Sequence, residues 1–197
     1  MEKMYNDLRN EAFAIAKEHG FYADKVTFDY CLAHVTSELG EAYNAHRKGL
    51  FPDPHRMTRL CVKPKTIRDR VFRLKRKNDK ELFFDAFNRC IKDTVADELA
   101  DAVILLLSTA GYFNLDLDNA EHNNSYRRFF GKWTFGDNKT ACERNLLDKR
   151  YDRARRIRFA IDYICKWATS LGYDIDMYVD LKMRYNKLRP MFNGKKY

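Results

Sequence analysis

Apolar residues recur every three or four positions in several stretches of this 197-residue chain, the period of a helix that buries one face. Leu8, Ala12, Ile15 and Ala16 predict a helix over residues 4–19, closed by Gly20. Leu32, Val35, Leu39 and Ala42 predict a second over 27–48, with Gly49 past its end. "LFPDPH" follows, and its two prolines mark a break. The basic stretch beyond it carries Ile67, Val71 and Leu74 and reads as partly helical. From Asp79 to Thr109 the pattern predicts one long helix whose last turns are almost wholly apolar, hence deeply buried, with Gly111 just past its end. Residues 112–150 lose the period and read as a long loop with short elements. Ala154, Ile157, Ile161, Ile164 and Ala168 restore it near 151–170. The closing stretch "YDIDMYVDLKMRYNKLRPMFNGKKY" reads as helical to about Leu188, stopped by Pro190.

This pattern predicts an all-α fold in a single domain over 1–197. Gly and Pro number only 8 and 4, too few for a many-turned β protein. An apolar fraction of 45% excludes wholesale disorder. No run approaches the ~18 apolar residues of a membrane span. The polar start "MEKMYNDLRNEAF" lacks the apolar region of a signal peptide. No membrane partner is expected. The five cysteines include no Cys-x-x-Cys pair, so neither a disulfide framework nor a zinc site is expected, and a cytoplasmic location is.

Charge alters the picture in one place. Between Arg56 and Lys80, 11 Lys and Arg face only Asp69 and Asp79, whereas the rest of the chain balances 26 basic against 26 acidic residues. The net +9 therefore lies in one segment. Such a segment reads either as a solvated helical face or as an attractor for phosphates or nucleic acid. Aromatic and basic residues also interleave in "SYRRFFGKWTF". Base stacking and a small satellite core are both readings of it, and the second is favoured.

Two acidic pairs carry the candidate chemistry. Glu38 and Glu41 stand three residues apart, about 60° around a helix and one turn separated, with His34 on the same face. Downstream, "DELAD" gives Glu98 and Asp101 the same spacing. Either pair alone also reads as an ordinary solvated helix face. If the two helices pack antiparallel, four carboxylates converge beside a core. Buried together, they need neutralising. Mg²⁺ or Mn²⁺, hard cations that take carboxylate oxygen at roughly 2.0–2.2 Å, are the natural partners.

"SELGEA" followed by "KDTVADELADAVILLL" resembles the all-α nucleoside triphosphate pyrophosphohydrolases, the MazG-like group that includes dimeric dUTPases. Their pattern is Glu-Glu-x-x-Glu on one helix and Glu-x-x-Asp on the next. "KMRYNKLRPMFNGKKY" is similar to their Lys-x-x-Tyr-Asn-x-x-Arg-Pro ending. The resemblance implies a four-helix-bundle core with a basic insertion at about 50–80 and a second insertion at about 119–172. It implies Mg²⁺-dependent (or Mn²⁺-dependent) hydrolysis of a nucleoside triphosphate, ribo or deoxy, to the monophosphate and pyrophosphate. Glu38, Glu41, Glu98 and Asp101 would hold the metal, and Glu38 or Glu41 would take the proton of the attacking water. Lys182, Asn186 and Arg189, on one face at i, i+4 and i+7, would meet the triphosphate and sugar, with Lys195 as a flexible clamp. It also implies a homo-oligomer, dimer or tetramer, which the apolar run 102–107 fits. Ser37 stands where the family has its first glutamate, and Asp97 is a candidate to substitute in part. The alternative reading is a nucleic-acid or nucleotide-binding protein on the same fold with weakened or lost catalysis. It rests on Ser37 and the basic segment.

Overall fold

The computed structural model describes residues 4–61, 79–121 and 132–190, and within them the chain forms eight helices and no strand. They are α1 (Tyr5–Glu18), α2 (Phe28–Arg47), α3 (Pro54–Cys61), α4 (Asp79–Cys90), α5 (Val95–Tyr112), α6 (Phe135–Leu147), α7 (Arg153–Ser170) and α8 (Ile175–Asn186). The expected all-α class is observed. No helix of the described residues is long and apolar enough to cross a membrane.

Helix α5 is the axis. Fourteen of its 18 residues are buried, and it packs against α1, α2, α7 and α8. The run 102–107 is covered within one chain, with Leu105 alone half-buried. That run therefore supplies no reason for a second subunit. Helix α7 lies in the segment read as the second insertion. Yet Ile157, Ile161, Ile164, Trp167 and Ala168 belong to the same hydrophobic cluster as α5. Helix α6 closes on α2 and α7, where Phe135 meets Trp167 with ring centroids 4.5 Å apart. The described end of "SYRRFFGKWTF" is thus packed against the core; residues 126–130 lie outside the described residues. So does the basic stretch 62–78, including Ile67, Val71 and Leu74.

Two of the expected elements are corrected. The single helix over 79–109 is two helices, broken at Ile91–Thr94. Asp93 turns left-handed (φ 60°), the Thr94 hydroxyl donates to the Ile91 carbonyl (2.6 Å), and the Asp97 carboxylate accepts the Asp93 N–H (2.9 Å). Short polar side chains here outcompete the helical ladder. The loop expected over 112–150 contains the 13-residue α6. Its start is a reciprocal cap in which Thr134 Oγ1 accepts from Asp137 N (3.2 Å) and Thr134 N donates to the Asp137 carboxylate (3.0 Å).

Side-chain caps also start α2 at Thr27, α7 at Asp152 and α8 at Asp174. Helix α1 has no such cap of its own. Its first N–H groups, at Tyr5 and Asn6, donate instead to the distant Asp118 carboxylate at 2.8 and 3.3 Å. Gly49 (φ 68°) closes α2 in the left-handed region that favours glycine.

Gly111 is not past the end of α5 but inside it, and the reason is packing. A β-carbon there would lie 2.5 Å from Phe13 Cβ and 3.2 Å from the Arg9 carbonyl of α1. The missing side chain is what lets α1 settle on α5. Gly111→Ala is expected to destabilise the fold by about 1–3 kcal/mol through overpacking, read as a lower urea midpoint at unchanged m-value.

Candidate functional site

Helices α2 and α5 run antiparallel. Phe28 at the start of α2 meets Phe113, just past the end of α5 (5.5 Å), and Leu50, past the end of α2, accepts a hydrogen bond from Val95 N (3.0 Å). This register sets Glu38 opposite the second turn of α5. Carboxylate oxygens of Glu38, Glu98 and Asp101 all lie within 4.8 Å of one another. Leu39 and Ala42 beside them on α2, and Leu99 and Ala100 on α5, are fully buried, so the acids stand against a dry wall.

A lysine faces them from α8. Lys182 is 4% exposed and pairs with Asp97 at 2.8 Å and Asp101 at 2.7 Å. Asp97 is itself 1% exposed. Helix α8 is held in place by Tyr185, which stacks on Phe87 (4.3 Å) and Phe84 (4.7 Å) of α4 and donates to Asn88 (2.8 Å). A second group of oxygens, from Asp93, Asp97 and Glu98, also falls within 4.8 Å and shares Glu98 with the first.

Three of the four expected metal ligands are therefore brought together. Glu41 stays exposed at the rim, outside the group of three, near enough for its charge to act on Glu38. Ser37 is exposed on the outer side of α2. Lys182 stands among the acids. Asn186 is half-buried on the last turn of α8, with its Oδ1 buried and without a hydrogen-bond partner among the described residues. Helix α8 ends there, so Arg189 lies in the turn beyond rather than on the helical face expected of it, with its guanidinium over the Tyr185 ring (5.7 Å). Lys195 lies outside the described residues. Asp97, named from the sequence only as a partial substitute for Ser37, is a principal member of the cluster, as the partner of Lys182. Asp93 was not anticipated. The sequence signal for Asp97 is a Thr94-x-x-Asp97 capping pattern, although Thr94 makes no side-chain cap in the structure; Asp93 carries no such signal.

The electrostatics follow from burial. Glu38 is pushed up by burial first, then by the charges of Asp101 and Glu41. Glu98 is raised by burial, then by Asp101 and Asp97. Burial also raises Asp97, to about 6, against the pull of Lys182. Burial alone would lower Lys182, but Asp101 and Asp97 outweigh it and hold the ammonium charged. Four carboxylates around one ammonium leave excess negative charge, which protons or a cation must offset. The donors are all hard carboxylate oxygens from two helices, Glu98 buried, Glu38 and Asp101 half-buried. That set suits Mg²⁺ or Mn²⁺. Comparison with known protein families, with curated proteins and with solved structures returned no match.

Because Glu38, Asp97 and Glu98 bind protons more tightly folded than unfolded, the stability they contribute is fully present below the unfolded carboxylate range and is lost as pH rises through their raised folded values. In chelator, stability is expected to fall between pH 5 and 8 by up to about 1.4 kcal/mol per pH unit for each proton retained, seen as a falling melting temperature. Glu98→Gln should flatten that slope. Lys182→Met strands Asp97 and Asp101. It is expected to destabilise the protein by about 3–5 kcal/mol at neutral pH and less at pH 5, as seen in denaturant melts at both pH values.

Proposed function

We propose that the protein is a divalent-metal-dependent hydrolase that converts a nucleoside triphosphate to the monophosphate and pyrophosphate. The observation that carries this reading is the convergence of Glu38, Glu98 and Asp101 oxygens within 4.8 Å across two antiparallel helices. The sequence resemblance supplies the substrate class. Glu38, Glu98 and Asp101 would hold Mg²⁺, which supplies positive charge against the phosphate oxygens and lowers the pKa of water in the site.

The chain's own residues do the rest. Glu41 is left outside the group of three oxygens, so its carboxylate is the one available to accept the proton of the attacking water. The water oxygen bonds to the α-phosphorus, the bond from that phosphorus to its bridging oxygen breaks, and pyrophosphate leaves with the electron pair. Lys182 fixes Asp97 and Asp101, so the Asp101 carboxylate is positioned before any ligand arrives. The core side chains behind the acids exclude water from that side and strengthen each charge interaction.

Pyrophosphate release is expected from at least one member of a panel of NTPs and dNTPs, only when Mg²⁺ or Mn²⁺ is present. Glu38→Gln, Glu98→Gln and Asp101→Asn should each lower turnover on the order of 100-fold while keeping side-chain shape. Full activity in any of these variants would sink the assignment.

A further inference from the structure

We propose that the base of the nucleotide stacks on one ring of the Tyr30–His34 pair, the other ring bracing it edge to face. This rests on the reading above that the acidic site handles nucleoside triphosphates. Most large apolar side chains of α2 face the core, but Tyr30 is 51% exposed. Its partner is not a core residue. The His34 imidazole, also exposed, meets the Tyr30 ring in a T-shaped contact with centroids 4.7 Å apart. The pair thus presents aromatic surface to solvent on a rigid helix, an arrangement that loses hydrophobic burial unless something covers it.

Position names the occupant. His34 and Glu38 are one turn apart, about 6 Å along the axis, and Tyr30 is one turn further, about 12 Å from Glu38. Tyr30, His34, Glu38 and Glu41 follow one side of α2. A ribose separates a base from its phosphates by a length of this order. The platform therefore lies where a base would fall if the triphosphate sat at Glu38. A neutral aromatic ring also suits a surface next to carboxylates better than an anion does. On α5, Leu105 is one turn beyond Asp101 and is the half-exposed member of the run 102–107, so an apolar position continues from the acids on that helix too. Stacking on such a platform tolerates any base and contributes through the π face.

The test uses the full chain and two substrates, a nucleoside triphosphate and inorganic tripolyphosphate, which has no base. Tyr30→Ala and His34→Ala are expected to raise KM for the nucleotide about ten-fold. The kcat, and all constants for tripolyphosphate, should stay unchanged, and Tyr30→Phe should retain the wild-type KM. An equal effect on both substrates, or none on either, overturns the inference. So does a change in mass by light scattering in the Ala variants, which would make this face a contact between copies of the chain. If the wild type hydrolyses nothing, the ring resonances of Tyr30 and His34 are followed by NMR during titration with a non-hydrolysable nucleotide and with pyrophosphate. Shifts with the nucleotide alone would uphold the platform and remove the hydrolytic reading. No shifts would remove both.

Discussion

The ion pairs of Lys182 with Asp97 and Asp101 are the contacts on which the arrangement depends. Helix α5 is asked to do two incompatible things. It is the most buried helix of the described chain, and its first two turns carry Asp97, Glu98 and Asp101. Carboxylates in such a place raise the free energy of the fold unless a counter-charge reaches them. The counter-charge comes from α8, the last described helix, which packs against α5 and is braced near its end by Tyr185 on the aromatic face of α4. The break at Ile91–Thr94 belongs to the same solution. It lets α4 turn away to offer Phe84 and Phe87 to α8, while the Asp93 N–H satisfies the second oxygen of Asp97.

How much of this was legible depends on how local the cause is. Helices α1, α2 and α7 follow from apolar spacing because each buries one stripe, and the periodicity records that stripe directly. The join between α4 and α5 is invisible to periodicity, because Phe83, Ala86, Phe87, Cys90 and Val95 are apolar on both sides of it. The causes lie instead in the hydroxyl of Thr94 and the carboxylate of Asp97. Helix α6 was missed for a similar reason: few of its residues face the core, and the Thr134–Asp137 cap carried more information than its hydrophobic pattern. The cap of α1 by Asp118 could not be read at all, since it joins residues more than a hundred positions apart.

The site divides along the same line. Glu38, Glu98 and Asp101 were readable because helical spacing determines which side chains share a face. The exposure of Glu41 was not readable, because it depends on how deeply α2 sits against α5. Lys182 was picked out as a phosphate contact, and its pairing with two aspartates emerges only once α8 is docked. Arg189 was placed on a helical face, but α8 stops three residues earlier. The charge of the chain is divided as well. The acids converge beside the core, while the basic excess of the sequence lies between Arg56 and Lys80.

The docking of α8 links two quantities that are usually measured separately. Helix α8 packs against α5, α7 and α4, and it carries the ammonium that pairs with Asp97 and Asp101. A local opening that lifts α8 from the body would return Lys182 to water and leave Asp97 and Asp101 facing each other without it. The free energy of that opening, which amide hydrogen exchange in α8 reports, therefore contains the electrostatic energy of the acidic cluster. Whatever binds the carboxylates changes the exchange rate of a helix that contributes none of them.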